Sequence, residues 1–194
     1  MNTNVDARVR EVCHFKGMHR MKLRSHLLGA LALLAVTAAA AAQQQSEVML
    51  SVGRGADDAD IDVVRLAYRR TLPNDSRWWV PTLVELGGGI WRVPDFAGTT
   101  QRFDLHATPV WRGDFARTYV EGGIGVYLLS HIINNDTTHM STSFEFGSHI
   151  GAGLRLGERR ETRVGVALQH LSNAGIKEPN GGVNFVLLNT SFPL

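Results

Sequence analysis

Beyond residue 42 the chain is a succession of short runs rich in β-branched, aliphatic and aromatic residues, each closed by a cluster of Gly, Pro, Asn or Asp. Eight such runs are predicted as strands: Glu47–Arg54, Asp60–Leu72, Trp78–Arg92, Thr100–Arg112, Thr118–Ser130, Ser141–Leu156, Arg163–Leu171 and Val183–Phe192. The separators Pro73-Asn74-Asp75, Pro94-Asp95, Gly113-Asp114, Asn134-Asn135-Asp136, Gly157-Glu158 and Asn180-Gly181-Gly182 are good turn formers. Such residues preset φ, accept a positive φ or bond their own backbone. No segment here sustains a long amphipathic helical period, and none approaches the roughly 20 apolar residues of a helical membrane span. Runs of about ten residues instead suit a tilted strand crossing a bilayer, and an even number of them closes antiparallel. The pattern predicts an all-β fold, an eight-stranded antiparallel transmembrane β-barrel. Alternation alone leaves a soluble β-sandwich or a lipocalin-like barrel as the competing architecture.

Glycine recurs inside the runs (Gly87 to Gly89, Gly122, Gly123, Gly125, Gly151, Gly153 and Gly165). It would weaken a flat sheet but helps a tight barrel to curve. Trp78, Trp79, Trp91, Trp111 and Tyr127 fall towards run ends, where interfacial aromatic girdles sit.

Residues 1–42 stand apart. Met21-Lys22-Leu23-Arg24 is a basic start, Leu27 to Val36 an apolar run too short for a comfortable span, and Ala38 to Ala42 a set of small residues. That order is the one export machinery reads, so a leader with a cleaved signal peptide is expected. Met21 makes a more ordinary start than Met1, because Arg8, Arg10, Lys16 and Arg20 precede the basic segment. Residues 43–194 then form one domain. The leader holds six of the 20 Lys/Arg and two of the 18 Asp/Glu, leaving fourteen against sixteen and a net charge of −2. The basic character of the whole chain therefore belongs to the leader, and no nucleic-acid partner is expected. Cys13, the single cysteine, leaves with it, so the remaining domain has neither disulfide nor thiolate chemistry.

Candidate chemistry concentrates in Gln169-His170-Leu171-Ser172-Asn173-Ala174-Gly175-Ile176-Lys177-Glu178-Pro179-Asn180, which begins on a strand and runs into a loop. Residues i and i+2 of a strand share a face, which places the His170 imidazole beside the Ser172 hydroxyl. Such a base can take the hydroxyl proton, provided a third polar group orients it. Counting back by twos gives Leu168, Val166 and Val164, so His170 and Ser172 extend an apolar stripe. In a membrane barrel that stripe faces lipid, so the dyad sits near a rim on the outside and its substrate is expected to be a lipid. Other clusters carry less. His131, His139 and His149 lack the HExxH, paired-cysteine or carboxylate spacing of a metal site. Asp57, Asp58, Asp60 and Asp62 lack the glycine and closing glutamate of a calcium loop and read as a solvated periplasmic turn. Arg69, Arg70, Arg77, Arg155, Arg159, Arg160 and Arg163 are candidate partners for lipid phosphates, with the turn at Gly157 to Glu161 equally readable as periplasmic.

The string His170-x-Ser172-Asn173-Ala174-Gly175, followed by Pro179-Asn180 and a last strand, resembles the PagL-type lipid A 3-O-deacylases. The resemblance extends over the domain through the earlier Phe144-x-Phe146-Gly147-Ser148-His149-Ile150-Gly151 strand. It implies an outer-membrane barrel of Gram-negative bacteria and a serine ester hydrolase acting on the lipid A part of lipopolysaccharide, with no cofactor and no metal. A homodimer is left open. By the same resemblance Ser172 is the nucleophile, His170 the general base, and the backbone N–H groups of Asn173 and Gly175 form the oxyanion hole. Asn173-Ala174-Gly175 is equally readable as a simple turn. An acidic residue that orients the histidine in this family aligns with Asn184, a departure that removes its charge. Either Asn184 or Glu178 could take that place, and a non-catalytic barrel with a disabled dyad is the competing function.

Overall fold

The computed structural model describes residues 46–56, 60–73, 77–95, 98–133, 138–159 and 161–194. The leader at 1–42 lies outside them, as do Asp57, Asp58, Asn74, Asp75, Asn134, Asn135, Asp136 and Arg160. The described chain forms eight strands: β1 (Ser46–Gly55), β2 (Asp62–Thr71), β3 (Leu83–Asp95), β4 (Gly98–Asp114), β5 (Thr118–Leu129), β6 (Phe144–Leu156), β7 (Thr162–Ser172) and β8 (Val183–Pro193). Each pairs antiparallel with the next, and β1 pairs with β8, so the sheet closes into a barrel without a free edge. The expected fold and strand count are those observed.

Two strand boundaries move for physical reasons. β3 begins at Leu83 and not Trp78, because Pro81 has no N–H to give a ladder and residues 77–80 close a turn through Val80 N–H to Arg77 O (3.0 Å). β6 begins at Phe144 and not Ser141, because Ser141 and Thr142 spend their hydroxyls on loop contacts. Pro94 and Asp95 continue β3, pairing with Thr99 and Gly98.

Alternation along the strands sorts the side chains. Leu66, Ile90, Leu105, Ile124, Leu128, Ile150, Val166, Leu168 and Leu188 point outward and are exposed, whereas Arg65, Arg69, Glu85, Asp104, His106, Glu121 and Gln169 point inward and are buried. An apolar wall outside and a charged lumen inside is the arrangement of a membrane barrel and the reverse of a lipocalin-like one. Trp78, Trp79 and Trp111 lie on this outer surface. Trp91 and Tyr127, expected in the girdles, are instead buried inside. Strand parity turns them inward, where Trp91 Nε1 donates to Asp104 (2.5 Å) and Tyr127 Oη accepts from Gln169 (2.7 Å).

The lumen is held by one connected ionic network. Arg69 donates to Glu85 (2.6 Å) and, through both terminal nitrogens, to Glu121 (3.0 Å each). The two ring nitrogens of His106 face Glu85 (3.2 Å) and Asp104 (2.9 Å), and Arg65 ties Asp104 (3.0 Å) to Gln169 (2.5 Å). Towards the end that carries the termini, Glu47 receives Arg112 (2.6 Å) and Arg163 (2.9 Å). Buried ions of this kind are tolerable only with partners, and each missing partner leaves an uncompensated charge. Small residues make room for the large ones: a Cβ on Gly89 would meet Arg65 Cγ at 2.5 Å, and one on Gly147 would enter the Tyr127 ring. At the opposite mouth an apolar cluster of Ile61, Val63, Trp91, Ile133, Met140, Leu171 and Phe185 fills the lumen.

Replacing Arg69 by Met is expected to cost about 3–5 kcal/mol of barrel stability, because Glu85 and Glu121 lose their shared cation. Urea unfolding of the refolded barrel followed by tryptophan fluorescence checks this, and adding Glu85→Gln and Glu121→Gln should recover part of the loss. On the outer wall, Leu105→Arg should destabilise the barrel in phospholipid vesicles by roughly 2–4 kcal/mol. A soluble barrel with a water-facing Leu105 would show almost no change in the same titration.

Candidate active site

An eight-stranded meander puts its connections alternately at the two ends. The β1–β2, β3–β4, β5–β6 and β7–β8 connections share one end, and the termini lie at the other. The β7–β8 loop leaves β7 directly after Ser172, so the dyad stands at the rim of the first end. The acidic segment of the β1–β2 connection lies at this same end, opposite the turn at Gly157, so the two cannot both be periplasmic. Its described members are paired: Arg54 bonds Asp60, and Asp62 lies 4.0 Å from Arg54 and 3.9 Å from Arg92.

His170 and Ser172 share the outward face of β7 with Leu168 and Val166, as their spacing predicts. The register sets His170 across from Asn184 on β8 and Ser148 on β6, and Ser172 across from Phe146. His170 Nδ1 lies 2.8 Å from Asn184 Oδ1. With the amide oxygen accepting, Nδ1 carries the proton and Nε2 keeps its lone pair, which is the tautomer a general base needs. Glu178, the other candidate orienter, accepts the Asn180 N–H (3.0 Å) and is spent within its own loop. The backbone at Gly182 crosses against the dyad: a Cβ built there would lie 2.9 Å from His170 Cε1 and 3.2 Å from Ser172 Cβ. Ring and serine therefore flank a common point.

The loop after Ser172 is fastened from within. Asn173 is fully buried, and its Nδ2 donates to Lys177 O (2.7 Å) and Ser141 Oγ (3.1 Å). Its Oδ1 accepts the Gly175 N–H (3.0 Å), while its own N–H donates to Asn180 Oδ1 (3.0 Å). Both amides expected to serve an oxyanion thus already have acceptors. Two left-handed residues, Ala174 (φ 54°) and Gly175 (φ 78°), turn the chain. The β5–β6 loop clamps the far side through Ser141 Oγ to Lys177 O (2.8 Å), Gly181 N–H to His139 O (2.8 Å) and a bridge between Met140 and Asn180.

Three site residues carry no assigned role in the sequence reading: Asn180, Ser141 and Gly182. Asn180 ends the motif string, and its signal is an amide side chain in the loop that follows Ser172. With Oδ1 fixed by the Asn173 N–H, its Nδ2 is the donor end. Ser141 and Gly182 gave no local signal, since each acts by meeting a distant segment.

Of the arginines read as phosphate partners, four are engaged away from the dyad, and Arg160 lies outside the described residues. Arg69 and Arg163 are consumed in the lumen, Arg155 Nη1 bonds Phe115 O (2.8 Å) at the end away from the dyad, and Arg77 stacks over Trp79 at 5.5 Å. His149 is largely turned into the barrel, and among the described residues no group of three His, Cys, Asp or Glu converges on one point.

Comparison with known proteins gives consistent matches. The model of a family described as lipid A 3-O-deacylase (PagL) matches residues 62–193. A lipid A deacylase PagL from Bordetella bronchiseptica is 35% identical over 111 residues, covering 56% of this chain and 60% of that protein. One from Pseudomonas aeruginosa is 31% identical over 130 residues, covering 62% of this chain and 72% of that protein. The chain thus aligns with less than two thirds of the Bordetella relative. A crystal structure of the outer membrane enzyme PagL superposes with a TM-score of 0.59 at 26% identity, over 76% of this chain and 99% of that one. The matched segment spans β2 to β8 with His170, Ser172 and Asn184 inside it, and the chain accordingly belongs to the lipid A 3-O-deacylase (PagL) family.

Proposed function

We propose that this protein is a lipid A 3-O-deacylase of the Gram-negative outer membrane, delivered there by the export leader read in residues 1–42. The observation that carries the proposal is an outward-facing His170–Ser172 pair at the barrel rim, with His170 Nδ1 2.8 Å from Asn184 Oδ1, a contact that suits the tautomer of a base. Ser172 Oγ attacks the carbonyl carbon of the 3-linked acyl ester while His170 Nε2 takes its proton. The tetrahedral intermediate collapses, the sugar oxygen leaves with the proton from His170, and an acyl-serine remains. A water, deprotonated in turn by His170, releases the 3-hydroxy fatty acid and restores Ser172. No cofactor enters this sequence.

The oxyanion is stabilised by fixed donors in the loop, worth about 3–4 kcal/mol each where one has been removed from comparable sites. Asn173 and Gly175 N–H groups reach it by exchanging their present acceptors, and Asn180 Nδ2 is a third donor that needs no such exchange. Along the outer wall, a trough of about 790 Å³ lined by His170, Asn184, Ser148, Ile150, Ile124 and Trp111 leads away from the dyad. An acyl chain laid in it replaces lipid contacts with apolar ones.

The neutral Asn184 favours a second reading, a barrel whose dyad no longer turns over, because an amide accepts the Nδ1 hydrogen bond without stabilising the imidazolium by charge. The two readings part on lipid A mass spectra of outer membranes carrying the protein or its Ser172→Ala variant. Loss of one 3-hydroxyacyl mass, absent with the variant, is expected. Unchanged lipid A around a correctly folded barrel would leave the second reading standing. Asn184→Glu should raise kcat/KM about five- to tenfold, the difference between a neutral and a charge-assisted hydrogen bond, measured on purified lipid A. A fall in rate would mean that the amide is built into this site as the better partner.

A further inference from the structure

Gly182 lies in the turn between the catalytic loop and β8, with φ at +63°. The three atoms nearest to a Cβ built at this position all belong to the dyad segment: Leu171 O at 2.7 Å, His170 Cε1 at 2.9 Å and Ser172 Cβ at 3.2 Å. The first is backbone and cannot swing away. The other glycines of positive φ, Gly98, Gly157 and Gly175, have nothing within 4 Å of the same built atom. Gly182 alone among them combines a left-handed backbone with close packing on chemistry-bearing groups.

We infer that Gly182 is a positioning residue for the His170–Ser172 pair, its bare backbone forming the wall against which the imidazole is set. This rests on the proposed ester hydrolysis. Asn184 fixes the ring at Nδ1 through one hydrogen bond (2.8 Å), and Gly182 bounds it at the neighbouring Cε1. Cε1 lies between the two ring nitrogens, so pressure there tilts the ring and swings Nε2 off the serine oxygen. A neutral amide resists that tilt with a single uncharged bond, and the wall at Cε1 adds a second restraint on the ring. A side chain at 182 reaches the outer trough only at its dyad end, through His170, since its nearest atoms belong to the dyad segment and not to Ile150, Ile124 or Trp111.

The test compares Gly182→Ala and Gly182→Asn with Gly98→Ala and Gly157→Ala in refolded full-length barrels. Asn accepts a left-handed backbone better than Ala, so the pair separates backbone strain from contact. Gly157→Ala carries strain (φ +83°) at the far end, and Gly98→Ala carries it (φ +123°) at the dyad's own end, with nothing within 4 Å of the added Cβ. Two rates are read on the folded fraction: covalent labelling of Ser172 by a fluorophosphonate, and lipid A hydrolysis resolved into kcat and KM. Both 182 variants are expected to lose labelling rate and kcat about a hundredfold, the scale of a 1 Å displacement of a catalytic group, with KM within about twofold of the parent. The two controls should stay within about twofold of the parent in every reading. A folded 182 variant that labels at the parent rate overturns the inference, as does an equal loss in either control. So does failure of both 182 variants to fold, which would make the glycine a requirement of the barrel. A parent that labels but leaves lipid A intact sinks the proposed substrate and leaves this inference to be judged on labelling alone. A parent that does neither sinks both.

Discussion

In a closed antiparallel barrel every backbone group finds its partner in the neighbouring strand, and every side chain is then assigned to one of two sides by parity alone. That constraint governs both halves of this molecule. It sends Gln169 and Leu171 into the lumen and His170 and Ser172 out to the wall, on consecutive residues of one strand. The His170 end of β7 is thus fastened twice: the imidazole bonds Asn184 outside, and the preceding Gln169 bonds Arg65 and Tyr127 inside. The lumenal ions serve the outer site by making the strand that carries it hard to shift. In a low-dielectric interior such a network is stiff because each member's removal exposes a charge.

The site shows how a neutral residue can stand where charge would be stronger. Asn184 selects the tautomer as a carboxylate would, since its oxygen can only accept from Nδ1. What it lacks is the Coulombic reward when the ring becomes imidazolium in the transition state. Geometry therefore carries a larger share here, through a loop in which Asn173 spends its amide on Lys177, Ser141 and Gly175 and its N–H on Asn180. What this loop holds rigid is its own fold, since the same bonds that fasten it occupy the Asn173 and Gly175 amides.

Much of this was legible in the chain before any coordinates. The strands with one polar and one apolar face, β7 above all, show their parity in letters, and the His-x-Ser spacing follows from it. β2 was harder, because Val63-Val64-Arg65-Leu66-Ala67-Tyr68-Arg69 is apolar on both faces and hides that its arginines point inward. That is why Arg69 read as a phosphate partner. Trp78-Trp79-Val80 has strand propensity but sits before Pro81, and Trp91 and Tyr127 read as girdle residues because their inward turn depends on registers with β2 and β6. Asn184 was found through family resemblance and not spacing. Ser141 and Gly182 depend on contacts across many residues of sequence, which no local pattern carries.

The closure of β1 onto β8 has one more consequence. The strand that supplies Asn184 is the last one made, it is zipped to the first, and the Ala56 N–H of the opening hairpin donates to the Asn184 carbonyl at 2.8 Å. Asn184 thus stands on a strand with two ladders, facing His170 across the β7–β8 hairpin and meeting Ala56 where the barrel closes. The first and last strands, far apart in sequence, thereby brace the rim on which the candidate dyad stands.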